Sequence, residues 1–328
     1  MSTMNTTELN LSTIAKHFSS EEAAYELIES IRWPAGPICP HCGSVDHAYF
    51  LTPENGYRTT STGKVSYRRV WKCADCRQQF SVLVGTIFED SKIPLSKWLL
   101  AIHLLCQGKN GVSAHELHRT LKITYKSAWF MAHRIRYAME RQPLAGMLAT
   151  DDQLTGIVEA DETYIGGKAR GKRGRGAANK TPVVTLVERN GEARSQVMEH
   201  VTGKNIKQTL EVQVSKDALL MTDELNVYTE AGKSFASHET VEHGKGEYVR
   251  GKAHINTAEG YFSQLKRSID GTHHHVSAHH LHRYLGEFDY RYNTRKITDS
   301  ERTQQAIQQT TGKRLMYQQP IQQNDTNS

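Results

Sequence analysis

The chain has 328 residues, in which lysine and arginine outnumber aspartate and glutamate by 41 − 35 = 6. That length is sufficient for two or three small domains, each with its own apolar core. No apolar run approaches the ~20 residues that a membrane-spanning helix needs, and the polar N-terminus has no signal-peptide pattern, so we expect a cytoplasmic protein without a membrane partner. The basic excess favours a polyanionic partner only modestly, since many soluble proteins share it.

The first predicted element is a helix within an N-terminal segment, residues 1–36. Ser19-Ser-Glu-Glu22 resembles a capping box, which predicts that a helix follows over Glu21–Arg32. Trp33-Pro34 should end this helix, because the residue before a proline is disfavoured in the helical conformation.

Four cysteines define the next segment, residues 37–90. They form two Cys-x-x-Cys pairs, Cys39 with Cys42 and Cys73 with Cys76. Two such pairs can surround one ion, which predicts a zinc ribbon with a single structural Zn²⁺ and no open coordination position. Redox dithiols or disulfides are the alternative, and two matched pairs in a cytoplasmic chain disfavour it. The alternating pattern of residues 62–72 predicts a strand that leads into the second pair, and the long insertion between the pairs is expected to be an extended hairpin.

Helical periodicity then runs from residue 95 to about 141, within a segment that we bound at 91–150. Gly108-Lys-Asn-Gly111 interrupts it with a turn, and two shorter helices follow. This pattern predicts a helix-turn-helix, whose second helix would enter the major groove of DNA. The candidate DNA contacts on that helix are Thr124, Tyr125, Lys126, Ser127, His133, Arg134 and Arg136. The alternative is a plain helical bundle with a solvated basic face.

Strand patterns dominate residues 151–300. Predicted strands at 156–165, 182–188 and 193–201 precede a helix at 204–214, a strand at 218–222 and later helices. This order is that of an α/β domain with the RNase H-like fold, in which the first and fourth strands lie side by side. We therefore expect the ends of these two strands to approach each other.

Three acidic residues occupy matching places in this order. Asp161 lies on the first strand, Asp223 ends the fourth, and Glu259 lies on a later helix. Carboxylates beside buried strand residues cost several kcal/mol unless a cation compensates them. Hard oxygen ligands suit Mg²⁺ or Mn²⁺, and two such ions can stabilise the attacking and leaving oxygens of a phosphoryl transfer. The acids therefore indicate polynucleotide chemistry.

Other charged residues surround these three. Glu159, Glu162 and Glu224 are rivals as metal ligands, although we expect them to be salt-bridge or supporting groups. Lys266 follows Glu259 by two helical turns and is a candidate DNA contact, or else an ordinary exposed lysine. A basic, glycine-containing run after the first strand should contact phosphates, or else be a solvated loop; its cations are Lys168, Arg170, Lys172, Arg173 and Arg175.

Several motifs together resemble the ISXO2-like DDE transposases of bacterial insertion sequences. They are the runs at residues 158–168, 254–259 and 271–293, with Gly85-Thr-Ile-Phe88 and Pro94-Leu-Ser-Lys-Trp98 after the ribbon. The resemblance extends from about Phe18 to Arg295. It implies that Asp161, Asp223 and Glu259 form a catalytic triad, with two Mg²⁺ or Mn²⁺ ions as cofactors.

The resemblance further implies a nucleoid-associated transposase that binds double-stranded DNA at the terminal inverted repeats, cuts it and joins it to target DNA. Bringing two ends together implies a homodimer or a higher assembly. Two alternatives remain open: a zinc-ribbon and helix-turn-helix DNA-binding regulator with an inactive catalytic domain, and a nuclease with a tyrosine nucleophile. His273-His274-His275 lacks the apolar middle residue that such a nuclease needs, and we expect a structural role or phosphate contacts there. Residues 301–328 are predicted to be a tail, partly disordered.

Overall fold

The computed structural model describes residues 20–51, 57–59, 61, 63, 65–67, 69–140, 153–167 and 180–315. They divide into two compact units. The first, the ribbon unit, comprises the described residues of Met1–Gly108, Ala114–Met139 and Ile297–Ser328; the second, the sheet unit, comprises those of Lys109–Ser113 and Glu140–Lys296. Within the described ranges, no helix has the length and apolarity needed to cross a membrane.

The ribbon unit begins with helix α1, Glu21–Arg32, at the predicted bounds. The Ser20 hydroxyl accepts a hydrogen bond from the Ala23 N–H at 3.2 Å and so caps the helix. Strands β1 (Ala48–Phe50), β4 (Trp71–Cys73) and β5 (Gln79–Phe80) form an antiparallel sheet in the order β1-β4-β5. Between them, β2 (Tyr57–Thr59) and β3 (Val65–Tyr67) pair as the predicted hairpin.

Three further helices of this unit follow the predicted periodicity. They are α2 (Leu95–Gln107), α3 (Ala114–Leu121) and α4 (Tyr125–Met139). A three-residue turn joins α3 to α4, and the Thr124 hydroxyl accepts a hydrogen bond from the Ser127 N–H at 3.2 Å at the start of α4. The buried side chains of α2, Trp98 and Leu99 among them, show why this apolar segment becomes a core helix.

The C-terminal segment differs from the expected tail, because residues Asp299–Gln308 form a helix. This helix begins with a complete capping box between Thr298 and Glu301. It packs on α2: the Arg302 guanidinium donates to the Cys106 carbonyl at 2.8 Å, and His103 Nδ1 lies 3.1 Å from Thr303 Oγ1. Thr303, Ala306 and Ile307 are buried by this packing. The part of the predicted tail beyond residue 315 falls outside the described residues.

The sheet unit is built on five strands in the order β10-β9-β6-β7-β8. Strands β6 (Ile157–Ile165), β7 (Thr181–Glu188) and β8 (Ala193–Val197) are antiparallel neighbours. Strand β9 (Leu219–Asp223) runs parallel to β6 and to β10 (Ser237–Val241). The pairing of the first and fourth strands, β6 and β9, is therefore confirmed, whereas the sequence analysis did not predict β10.

Helices cover both faces of this sheet, as a sheet with apolar residues on both sides requires. Helices α5 (Gly203–Gln213) and α6 (Thr229–Gly232) lie on the face of Val158 and Ala160. Helices α7 (Asn256–Ser268) and α8 (Ala278–Asn293) lie on the face of Ile165. Since side chains alternate along a strand, the odd-numbered acids of β6 point toward the α7 side.

Candidate metal centre and nucleic-acid interface

The four ribbon cysteines converge on one point. Their sulfur atoms all lie within 4.8 Å of one another, with 3.6 Å between Cys39 Sγ and Cys76 Sγ and 3.6 Å between Cys42 Sγ and Cys73 Sγ. Tetrahedral coordination at a Zn–S distance of about 2.3 Å separates sulfurs by about 3.8 Å. The donor set and its spacing therefore fit one structural Zn²⁺.

Cys39 is prepared for zinc ligation by the turn that follows it. Burial opposes ionisation of Cys39, yet hydrogen bonds from the backbone of His41 and Cys42 lower the pKa of its thiol to about 7. A thiolate is the form that binds zinc. The backbone of this turn thus favours the thiolate form of Cys39.

We expect Cys73→Ser to release about one zinc per chain and to unfold the ribbon, because thiolate-bound zinc contributes folding free energy outright. The measurement is zinc content of the purified variant, with Cys106→Ser as the matched control, since Cys106 is a buried cysteine on α2 outside the cluster. Zinc content equal to that of the wild type in Cys73→Ser would exclude the structural ion.

The candidate DNA contacts of helix α4 fall into two groups. Lys126 and Tyr125 are exposed near the start of the helix. Arg134 and Arg136 are buried: the Arg134 guanidinium donates to the Glu89 carbonyl at 2.7 Å and lies 5.5 Å from the ring centre of Trp98. These two arginines are therefore part of the core of the ribbon unit, and the structure does not support the expectation that they contact DNA.

Asp161 and Asp223 lie at the same level of adjacent strands. The parallel register pairs Val158 with Leu220 and Glu159 with Met221, and continuing it brings Asp161 opposite Asp223. Both residues are odd-numbered, so the alternation of the strands directs them to the same face. The fold therefore brings the two aspartates together, as the sequence predicts.

Glu259 reaches this face from the first turn of α7. Its side chain is 47 % exposed, whereas its helix neighbours Ala258 and Phe262 are packed against the sheet. The helix is thus anchored by its apolar side, and the carboxylate of Glu259 is accessible to solvent and to ligands.

The electrostatics of Asp161 show that the acids interact. Burial is the largest cause of a pKa raised to about 8 at Asp161, and the charge of Glu162 is the next. The charges of Asp223 and Glu259 raise this pKa as well. The three carboxylates are not gathered as tightly as the cysteines, which form the one group of potential ligands within 4.8 Å among the described residues. Their hard oxygen atoms fit divalent cations, which would relieve this repulsion.

Glu159 shares the strand face of Asp161 but has a different environment. It is fully buried, and its carboxylate accepts hydrogen bonds from Thr257 N at 2.8 Å and Ala258 N at 3.0 Å, in the first turn of α7. Arg189 Nε donates to it at 2.6 Å. An anion at a helix N-terminus satisfies unpaired N–H groups and the helix dipole. Glu159 therefore fixes the helix that bears Glu259.

The other two rivals also have partners of their own. Glu162 lies on the opposite face of β6, where its carboxylate accepts a hydrogen bond from the Tyr228 hydroxyl at 3.0 Å. Glu224 accepts hydrogen bonds from His243 N at 2.9 Å and Gly244 N at 3.1 Å. Hydrogen bonds from its own N–H and from these two residues lower the pKa of Glu224. Its carboxylate is thus committed to holding a loop.

The remaining candidate residues are only partly described. Lys266 is exposed on the same side of α7 as Glu259, two turns further on. The basic run with Lys168, Arg170, Lys172, Arg173 and Arg175 lies outside the described residues. His274 Nδ1 lies 3.0 Å from the Asp270 carbonyl oxygen, at the end of the turn that follows α7, which is a structural contact.

Sequence reasoning did not identify Arg189 and His243 as part of this site. Arg189 joins Glu159 to the carbonyls of Lys252 and His254, each at 2.9 Å, and His243 Nδ1 lies 3.7 Å from Glu259 Oε1. No local pattern marks either residue, because their partners lie far along the chain: Glu159 is 30 residues before Arg189, and Glu259 is 16 residues after His243. The alternation of side chains along β6 was the one available pattern, and it indicated only that Glu159 shares a face with Asp161.

Comparison with known proteins agrees with the resemblance seen in the sequence. Residues 153–293 match the family described as the ISXO2-like transposase domain, and residues 19–79 match the transposase zinc-ribbon domain. The chain is also 30% identical over 293 residues to the "Uncharacterized protein in transposable element ISH50" of Halobacterium salinarum. This alignment covers 84% of the present chain and 92% of the relative.

Proposed function

The chain belongs to the ISXO2-like transposase family, and from this premise we propose that it is an active DDE transposase that cuts and joins the ends of an insertion sequence. The observation that supports this most directly is the convergence of Asp161, Asp223 and Glu259 on one face of the sheet unit. Strand order β10-β9-β6-β7-β8, with only β7 antiparallel to both of its neighbours, supports an RNase H-like assignment for this unit.

The proposed reaction has two in-line phosphoryl transfers. A water oxygen attacks the phosphorus at the element end, and the 3′-oxygen leaves as a 3′-hydroxyl. This hydroxyl then attacks a phosphorus of the target strand, whose own 3′-oxygen leaves. Asp161, Asp223 and Glu259 would hold two Mg²⁺ or Mn²⁺ ions, which stabilise charge on the entering and leaving oxygens. No covalent protein intermediate is needed, so the same carboxylates serve both steps.

End binding is assigned to the ribbon unit. Helices α3 and α4, joined by a three-residue turn, support a helix-turn-helix assignment, in which the first residues of α4 would approach base edges. Of the cationic candidates on α4, Lys126 is exposed there, beside the exposed Tyr125. Joining two element ends to a target would require a homodimer or a larger assembly on double-stranded DNA.

For recognition, we expect Lys126→Ala to weaken binding to the element ends. Loss of a base contact should cost ~1–3 kcal/mol and relax sequence preference, whereas loss of a phosphate contact should weaken all sequences alike and reduce the salt dependence. Titrations of end DNA and unrelated DNA at several salt concentrations distinguish the two. The neighbouring Lys122→Ala, in the exposed turn before α4, is the matched control. Wild-type affinity in Lys126→Ala would remove this residue from the interface.

The direct test of the proposed function is Mg²⁺-dependent nicking and joining of labelled DNA that bears the inverted repeats flanking the gene. Cleavage at the element boundary, followed by joining of the 3′-end, is the expected result. Binding to the repeats without metal-dependent cleavage would contradict the proposal and would favour a DNA-binding regulator instead.

A further inference from the structure

The segment between β10 and α7, residues 242–255, forms a loop beside the candidate catalytic acids; we call it the 242–255 loop. Glu224, which directly follows Asp223, holds its start through the N–H groups of His243 and Gly244. Arg189, which is bound to Glu159, holds its end through the carbonyls of Lys252 and His254. Both ends of the loop are therefore tied to neighbours of the catalytic acids.

Two large apolar side chains of this loop are exposed. Tyr248 is 58% exposed and its neighbour Val249 is 54% exposed. The Tyr248 ring packs on the His243 ring with a centroid distance of 5.1 Å, and His243 Nδ1 lies 3.7 Å from the Glu259 carboxylate. One imidazole ring thus separates an exposed aromatic side chain from a candidate metal ligand.

The charges of the loop suit a nucleic acid. Its two acids each have a cationic partner, Glu242 with Lys245 and Glu247 with Arg250. Lys252 adds a third cation, so that residues 242–252 have a formal charge of 3 − 2 = +1 with histidine neutral. A single strand is bound by such a combination, in which cations follow the backbone and an aromatic ring stacks on a base.

We propose that Tyr248 is a stacking site for an unpaired DNA base within two or three nucleotides of the scissile phosphate. The reach follows from the contacts above, because successive nucleotides of one strand of duplex DNA, which continues on the paired side of this base, are about 3.4 Å apart. The inference rests on the proposed function, since it takes the nearby carboxylates to be the site of cleavage. Stacking would hold the strand in line with these carboxylates after the terminal base pairs open.

The test uses the full-length protein and end DNA with 2-aminopurine at single positions on both sides of the cleavage site. Ca²⁺ replaces Mg²⁺ so that the DNA stays uncut. Under these conditions the wild type and Tyr248→Phe should quench the 2-aminopurine fluorescence at one of these positions. Tyr248→Ala should restore its fluorescence and slow joining roughly 5- to 150-fold, as expected for the loss of ~1–3 kcal/mol of stacking. Val249→Ala removes a neighbouring exposed apolar side chain and should behave like the wild type.

Three outcomes overturn the inference. If Tyr248→Ala quenches and joins like the wild type while Asp161→Asn is inactive, the proposed function stands and the stacking site falls. If Tyr248→Ala quenches 2-aminopurine as the wild type does but changes the oligomeric state of the protein in sedimentation, the Tyr248 ring belongs to an interface between copies. If the wild type does not cleave its own element ends, the proposed function falls, and the stacking site falls with it.

Discussion

Asp161→Asn, Asp223→Asn and Glu259→Gln should each reduce Mg²⁺-dependent cleavage and joining by roughly 10³-fold or more. An amide keeps the size of the side chain but removes the charge that binds the cation, and metal ions contribute several kcal/mol of transition-state stabilisation. Binding to the element ends should survive, because it is assigned to the ribbon unit. The measurement is nicking and joining of labelled end DNA, with binding titrated in parallel.

Double variants of these acids should be hardly worse than single ones, since residues that act as one unit are not additive. Glu224→Gln is the control next to Asp223, and it should retain measurable activity because its carboxylate holds the 242–255 loop. Glu162→Gln should also retain activity, because its carboxylate accepts from Tyr228 on the other face of the strand. An active Glu259→Gln protein, or an inactive but folded Glu224→Gln protein, would contradict the assignment.

The Asp161→Asn variant should also be more stable than the wild type near pH 7 when no divalent ion is added. The pKa of Asp161 is about 8 in the folded chain, and an ordinary aspartate in an unfolded chain has a pKa of about 3.9. Between these values the folded state binds more protons, so the stability of the wild type falls as the pH rises. The gain in thermal midpoint should shrink toward pH 4, and its presence at pH 7 would show that lost activity does not reflect unfolding.

Glu159→Gln is expected to lower cleavage severely, although the sequence by itself predicts only a salt-bridge or supporting role for Glu159. A glutamine offers one acceptor oxygen, so its amide group would face the donors Thr257 N or Arg189. Breaking a buried ion pair costs about 3–5 kcal/mol. The start of α7 would then loosen, and Glu259 would lose its fixed position.

The readout for Glu159→Gln combines chemical denaturation of the protein with the Mg²⁺ concentration that gives half-maximal cleavage. A positioning role predicts that this concentration rises even at temperatures where the variant is folded, and a stability role alone does not. Glu188→Gln is the matched control, because Glu188 is a strand-end acid that accepts from Thr155 Oγ1 at 2.9 Å, away from α7. Unchanged stability and metal dependence in Glu159→Gln would contradict the role given to this carboxylate.

The ribbon and the order of strands and helices were predictable because their signals are local. Cys39 and Cys42 lie on one turn, and Cys73 and Cys76 lie on another. Two such turns commonly bind one zinc ion. Helix α1 and strands β6 and β7 follow from a cap and from apolar patterns that need no distant partner. Asp161 and Asp223 were predicted to lie close together, because the order of strands and helices indicates a fold in which their two strands are neighbours.

Only the tertiary structure decided which charged residues are buried and what they contact. Arg134 and Arg136 have the same local pattern as a DNA-binding helix face, yet their burial in the ribbon unit depends on residues far along the chain, such as Glu89. Glu159 and Asp161 have the same strand face and the same charge, and the N–H groups of Thr257 and Ala258 separate their roles. The C-terminal helix was not predicted, because it has few apolar residues and so a weak helical pattern; its packing on α2 stabilises it. Sequence thus determined the chemistry available to this protein, and long-range packing determined which side chains remain accessible to use it, because burial and hydrogen-bond partners are properties of the assembled fold.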